Sequence, residues 1–343
     1  MLQTIDHIEM YVGNIVQASY FYQKALGFIK SSHVFNNTAS IQLEQNHINL
    51  ILTSSSNPNS TISKHLNKHG DGIKKIGFVV KDVNEAYNSA IKNGATSVLA
   101  PSYTQTENGS SCKAEVLTFG NIVHSFHNQH STTSQSCNRE KNNANHFLLE
   151  KIDHLAICLN KGELDKWIDF YCNAFGFSLS HEETVDTGKS GMNSKAIEFG
   201  DIKLVFTEPM DKYVHSQIQE YLDAYQGPGI QHVAYATSDI VKTIKVLVNQ
   251  GIEFLNIPEN YYELRKAEFP DLAELINSLR STKILIDRDE HGILLQTFSK
   301  PLQSSPTFFI EIIQRLNSKG FGSGNINALF KAVEMEQLNR GKV

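Results

Sequence analysis

The chain has 343 residues, of which 40% are hydrophobic and 20% charged, a globular composition long enough for two cores rather than one. A formal net charge of −5 and the lack of any Lys/Arg-rich run argue against nucleic acid or an anionic membrane surface as partner. The start, MLQTIDHIEMYV, lacks the basic and long apolar regions of a signal peptide. No apolar stretch nears the ~20 residues of a membrane span, so a cytoplasmic protein is expected. Cys112, Cys137, Cys158 and Cys172 show no CxxC spacing and are too sparse for a disulfide framework, so they read as reduced and structural.

In chain order, IDHIEMYVGNIVQASYFYQKALGF from Ile5 predicts an alternating strand, a polar turn and an amphipathic helix that stops at a glycine. DGIKKIGFVVKDVNEAYNSAIKNGA from Asp71 repeats strand, turn, helix and glycine. A polar stretch, NQHSTTSQSCNREKNNANH from Asn128, has no hydrophobic period and reads as a linker. The pattern then returns as IDHLAICLNKGELDKWIDFYCNAFGF from Ile152 and PGIQHVAYATSDIVKTIKVLVNQGI from Pro228. The order βα, then strands, thus recurs four times. This predicts an α+β fold in which each half pairs two small modules around a shared concave sheet, with a first domain at 1–130, a linker at 131–149 and a second domain at 150–343. Gly-rich phosphate loops are missing, which removes support for nucleotide binding.

One carboxylate is out of keeping with its surroundings. In PTFFIEII, Glu311 shares a strand face with Phe309 and Ile313, and burying an ionised carboxylate without a partner costs several kcal/mol. His154 in IDHLAI and His232 in IQHVAY sit in strands at places that would face the same concavity. Two imidazoles and one carboxylate, with other positions open, suit a non-haem Fe(II) site that takes a bidentate substrate and dioxygen. A lone His on an apolar strand is more often a hydrogen-bonded core residue; the internal repeat strengthens the ligand reading. The corresponding places in the first half are read as His7, Lys75 and His124, and a lysine ammonium there would repel a cation. The first half is therefore expected to lack a metal.

These motifs, together with GPGIQHVAY, DRDEHGILLQTFSKP and PTFFIEIIQR followed by GFGSGNINALFKAVEMEQ, closely resemble the 4-hydroxyphenylpyruvate dioxygenase and 4-hydroxymandelate synthase family of the vicinal oxygen chelate superfamily. The resemblance covers nearly the whole chain and is most specific from His154 onwards. It implies two vicinal oxygen chelate domains, each of paired βαβββ modules forming an open curved sheet barrel. It makes His154, His232 and Glu311 the Fe(II) ligands. Ser194, Thr207, Gln217, Gln231 and Gln296 become polar pocket residues, and Phe298, Phe309 and Phe321 aromatic walls. Asn325 and Ile326, at the entry to a C-terminal helix that covers the site, would face the substrate. The partners implied are an aromatic 2-oxo acid and O2, in a homodimer or homotetramer.

Both family reactions start from 4-hydroxyphenylpyruvate: the dioxygenase forms homogentisate, the synthase 4-hydroxymandelate. This chain carries Ile326 where the dioxygenases resembled have Phe, and VFTEP, with Val205 and Thr207, where they have PxNEP. Both changes loosen the grip on the ring and favour the synthase reaction, since a displacement of about 1 Å can redirect a rate by orders of magnitude. Phenylpyruvate stays open as a substrate, because a site with fewer polar groups to leave unpaired rejects it less. A metal-dependent binding or resistance protein of the same superfamily is a third reading, against which Gln217, Gln231, Gln296 and the long last helix argue.

Overall fold

The computed structural model describes residues 1–34, 37–106, 109–128, 148–188, 190–210, 212, 216–303 and 305–339. The strands of the first half are β1 (Leu2–Tyr11), β2 (Ile29–Val34), β3 (Thr38–Gln45), β4 (Ile48–Ser55), β5 (Gly72–Val80), β6 (Thr96–Thr106), β7 (Gly109–Leu117) and β8 (Val123–His127), interleaved with helices α1 (Ile15–Ala25), α2 (Thr61–His69) and α3 (Val83–Lys92). The second half repeats this with β9 (Lys151–Cys158), β10 (Ser178–Asp186), β11 (Gly191–Phe199), β12 (Ile202–Pro209), β13 (Gly229–Ala236), β14 (Leu285–Arg288), β15 (Ile293–Phe298) and β16 (Phe309–Leu316). Its helices are α4 (Leu164–Phe175), α5 (Gln217–Tyr225), α6 (Ile240–Asn249), α7 (Glu259–Glu268), α8 (Ala273–Leu279) and α9 (Ser323–Asn339).

Each half is one eight-stranded mixed sheet, in the orders β2-β3-β4-β1-β5-β8-β7-β6 and β10-β11-β12-β9-β13-β16-β15-β14. The two orders correspond strand for strand, as the fourfold repeat predicts. In both, the first strands of the two modules lie side by side and antiparallel at the centre of the sheet, β1 on β5 and β9 on β13.

Local chemistry places the helices. Asn14, Asp82 and Asp239 each accept a hydrogen bond from a first-turn N–H at the start of α1, α3 and α6, a cap whose loss costs about 0.5–2 kcal/mol. The four glycines expected to end helices, Gly27, Gly94, Gly176 and Gly251, all have positive φ. In α6, Ile240, Ile244 and Leu247 recur at helical spacing and are buried.

The repeat fails in one place. Between α6 and β14 the second half inserts α7 and α8, and β14 keeps only Leu285–Arg288 where β6 runs Thr96–Thr106. The recurring order of βα followed by strands predicts strands there. The pattern NYYELRKAEF carries charges among its apolar residues, and only packing shows that Tyr261 and Tyr262 are the buried side of a helix.

One hydrophobic core runs through both halves, with Phe119 of the first edge-on to Trp167 and Phe206 of the second. Gly120 (φ 54°) sits so close to Pro228 that a Cβ would lie 2.0 Å from its carbonyl oxygen. The expected linker lies outside the described residues apart from its end, where Leu149 is buried and its N–H donates to Gln45 Oε1 at 2.7 Å. Cys137 is also outside them, whereas Cys112 and Cys158 are buried free thiols and Cys172 a partly buried one.

Candidate metal centre and pocket

The three proposed ligands come from neighbouring strands. β13 lies between β9 and β16, and its Ala234 is opposite both His154 and Glu311, while His232 is opposite Phe309. Because side chains alternate, His154, His232 and Glu311 project from the same side of the sheet. Glu311 Oε2 lies 3.2 Å from His154 Nε2 and 3.4 Å from His232 Nε2, with the imidazole planes at 76°. Glu311 is 1% exposed, so water does not neutralise it.

A further layer sets these groups. Asp153 Oδ1 accepts from His154 Nδ1 at 2.9 Å, which turns Nε2 towards Glu311. Arg315 binds Asp153 in turn, and its Nη1 donates to Gly320 O at 2.6 Å in the loop before α9. The other oxygen of Glu311, Oε1, accepts from Gln296 Nε2 at 2.8 Å.

The electrostatics follow. Burial pulls the His154 imidazole down, but the Glu311 carboxylate and the bond to Asp153 outweigh it and raise it to about 9. Burial pushes Glu311 up, but the two imidazoles outweigh it and bring it to about 2. His232 is lowered by burial, which Glu311 only partly opposes. Asp153, despite burial, is held well below the usual carboxylate range by Arg315 and His154. Glu311 thus stays ionised because positive charge stands beside Oε2, where a protonated His154 supplies it. Two imidazole nitrogens and one carboxylate oxygen converging there fit a divalent cation.

The first half departs from what its sequence suggests. Ala234 is opposite Glu311, and its counterpart Gly77 is opposite Ser125, so Ser125 and not His124 takes the place of Glu311. His124 points to the other face, with Nε2 2.6 Å from the Tyr171 hydroxyl. His124 is one residue away from the position equivalent to Glu311, and in a strand one residue reverses the face. Lys75 does stand in the place of His232, and its ammonium pairs with Glu9 and Glu115 at 3.0 Å each. A second group of ligand-type side chains gathers nearby from a different set: Asp6 Oδ2 is 2.8 Å from His7 Nδ1 and 3.2 Å from His127 Nε2. The first of these contacts repeats the pairing of Asp153 with His154.

All thirteen residues singled out from the sequence line one cavity, whose empty space including its mouth is about 1170 Å³. Their free valences differ. Phe309 stacks on His232 at 4.7 Å between centroids, Phe298 stands edge-on to it, and Phe321 is edge-on to His154. The side chains of Ser194 and Gln231 make no hydrogen bond to described residues and remain open to a ligand. Four others are engaged: Thr207 donates to Ile157 O at 3.1 Å, Gln217 Nε2 to Phe330 O of α9 at 2.6 Å, Gln296 to Glu311, and Asn325 Nδ2 to Gln296 Oε1 at 2.9 Å. Ile326 faces the cavity from the first turn of α9 and packs against a buried cluster containing Met192, Ile218 and Phe330.

Sequence reasoning missed Arg315, Tyr261 and His181. Arg315 lies four residues after Glu311, on the same strand face, so it could have been found by alternation. His181, at the cavity wall, lies 3.2 Å from the Ser323 hydroxyl at the start of α9, and only folding brings it there.

The fold and the paired modules place the chain in a class before any closer likeness is considered. It matches the Glyoxalase/Bleomycin resistance protein/Dioxygenase superfamily over residues 4–112 and 151–297. It is 33% identical to a 4-hydroxyphenylpyruvate dioxygenase of Tetrahymena thermophila, across 98% of this chain and 91% of that protein. A 4-hydroxyphenylpyruvate dioxygenase of Aspergillus fumigatus is 34% identical, across 98% and 93%. Among solved structures, a triple mutant of 4-hydroxymandelate synthase from Streptomyces coelicolor superposes with a TM-score of 0.89 at 30% identity, covering 98% of this chain and 99% of that one. The chain belongs to the 4-hydroxyphenylpyruvate dioxygenase and 4-hydroxymandelate synthase family, and it is a dioxygenase of that type. Among the described residues, no helix is long and apolar enough to cross a membrane.

Proposed function

We propose that the chain binds Fe(II) through His154, His232 and Glu311 and converts 4-hydroxyphenylpyruvate and O2 to 4-hydroxymandelate and CO2. Fe(II), when bound, supplies a Lewis acid for the 2-oxo acid and the electrons that activate dioxygen. The protein's share is binding, orientation and exclusion of water. Phe298 and Phe309 hold the aromatic ring, and Ser194 and Gln231 offer the free hydrogen-bonding groups of the wall. Phe321, Leu329, Phe330 and Val333 close the cavity against water. The division into a first domain at 1–130, a linker at 131–149 and a catalytic domain at 150–343 belongs to this reading, as do the homodimer or homotetramer and the cytoplasmic location.

The observation that carries the synthase reaction is Ile326 on the cavity wall. A β-branched aliphatic side chain there leaves space beside the ring that a Phe would fill. Thr207, whose hydroxyl proton goes to Ile157 O, can accept from a phenol but not donate to it, where an amide could do both. A ring held loosely at this end presents its benzylic carbon. The homogentisate-forming reaction is the second reading, favoured by the names of the Tetrahymena and Aspergillus relatives and served by the same three ligands.

The test is product identity. The protein is loaded anaerobically with Fe(II), given 4-hydroxyphenylpyruvate and then air, and the product is compared by chromatography with authentic 4-hydroxymandelate and homogentisate. These are isomers, so retention time decides. Mandelate supports the proposal; homogentisate retains the metal centre and overturns the role given to Ile326. Absence of oxygen uptake would point to a binder instead.

A further inference from the structure

Glu311 presents one oxygen, Oε2, to both imidazoles and gives the other to the protein. From Oε1 a continuous line of hydrogen bonds leads away from the cavity. Gln296 Nε2 donates to Glu311 Oε1 at 2.8 Å, Asn325 Nδ2 to Gln296 Oε1 at 2.9 Å, Tyr261 OH to Asn325 Oδ1 at 2.7 Å, and Ile286 N–H to the Tyr261 oxygen at 2.8 Å. Every member is buried: Gln296 is 3% exposed, Asn325 1% and Tyr261 6%.

The line has one direction. A carboxylate only accepts, so Gln296 must offer its NH2, which leaves its carbonyl to Asn325. Asn325 must then offer its own NH2 to Gln296, which leaves its carbonyl to Tyr261. Tyr261 has a single proton; Ile286 O at 2.9 Å also lies in reach, but Asn325 Oδ1 has no other described donor. Each bond in such a run polarises the next, so the whole row of donors stabilises charge on Glu311.

Placement supports a role at the metal centre. Tyr261 belongs to α7, the insertion with no counterpart in the first half, whose equivalent strand position holds Ser125 instead of a carboxylate. The same helix holds the start of α9 a second time, through Arg265 Nη2 to Gly324 O at 2.9 Å. Gly322 (φ 77°) lets the chain pass over Gln296, where a Cβ would fall 2.1 Å from Oε1.

We propose that Tyr261 is a positioning residue for Glu311: through Asn325 and Gln296 it restrains Oε1, leaves Oε2 alone for the cation, and makes that restraint depend on α9 being closed. This rests on the reading that His154, His232 and Glu311 hold a divalent cation. With the line broken, Oε1 is free to turn towards the cation and take a position that a bidentate substrate needs.

The experiment uses Co(II) added to the metal-depleted full chain, reading the dissociation constant and the visible absorption bands, which report coordination number and geometry. Tyr261→Phe removes the last donor. Asn325→Asp, nearly isosteric, sets an oxygen against Gln296 Oε1 and forces the amide to turn. Both variants are checked for a cooperative thermal transition, and if one fails to fold the other carries the test. The expected result is a dissociation constant raised about 10- to 100-fold, with altered visible bands. A folded variant with wild-type affinity and wild-type bands overturns the proposal, even if its melting temperature has dropped. A wild-type chain that takes up no Co(II) overturns the metal reading itself, and this inference with it; product identity does not enter.

Discussion

Arg315 closes on Asp153 with both ends of its fork, Nε to Oδ2 and Nη2 to Oδ1, each at 2.8 Å. Asp153 is thereby fixed as the acceptor that turns His154, and the same guanidinium carries the loop before α9 through Gly320 O. One residue thus supports the proposed ligand His154 and the loop that leads into α9.

Removing Arg315 should therefore be costly. Arg315→Ala leaves Asp153, whose side chain is only 5% exposed, charged and without its main partner. Breaking such a pair typically costs about 3–5 kcal/mol. Urea unfolding of the variant is expected to show a loss of this size, and a loss below about 1 kcal/mol would mean that Asp153 finds another partner.

Ile326→Phe tests ring placement. The added ring fills the space beside the cavity bounded by Met192, Ile218 and Phe330. The expected outcome is a product ratio displaced towards homogentisate, at least tenfold, with oxygen uptake retained. A folded, active variant with an unchanged ratio removes Ile326 as the determinant.

Two histidines make stability depend on pH. Burial, with repulsion from His69, Lys74 and Lys68, lowers His65 to about 3, and burial lowers His124 to about 4. Their folded values lie below the unfolded value of about 6.5, so the native state resists protonation. Their contribution to stability is full above that pH and is lost as pH falls towards 4. For the fully buried His124 the slope approaches about 1.4 kcal/mol per pH unit. Urea midpoints at pH 7, 5.5 and 4.5 should fall, and the His65→Gln, His124→Gln double variant should flatten the fall. An equally steep decline in that variant would assign it to other groups.

Gly120→Ala probes the contact between the halves. The methyl group would have to displace Pro228 backbone, and an alanine at φ 54° adds about 1–3 kcal/mol of strain. A drop in melting temperature is expected, with Co(II) uptake preserved because the triad lies elsewhere. A variant as stable as wild type would show that the Pro228 segment yields at no cost.

Much of this protein is readable along the chain because its periodicities are local. Alternation placed His154, His232 and Glu311 in strands and marked Glu311 as a charge in need of a partner. The glycine stops marked where helices end, and the fourfold repeat anticipated two matched sheets. The insertion at α7 and α8 escaped because its mixed pattern acquires a buried side only against neighbours supplied by the fold.

The sequence by itself determined which side chains were available and on which face of their own element each stands, since that follows from a period of two or 3.6 residues. Tertiary structure alone decided which strands lie together, and so brought the imidazoles of His154 and His232 to one oxygen of Glu311. It also set the register that puts Ser125, not His124, in the place of Glu311, and the direction of the hydrogen bonds from Tyr261 to the carboxylate. Those depend on pairings between residues dozens of positions apart, and a slip of one position in a strand turns a ligand into an outward-facing side chain.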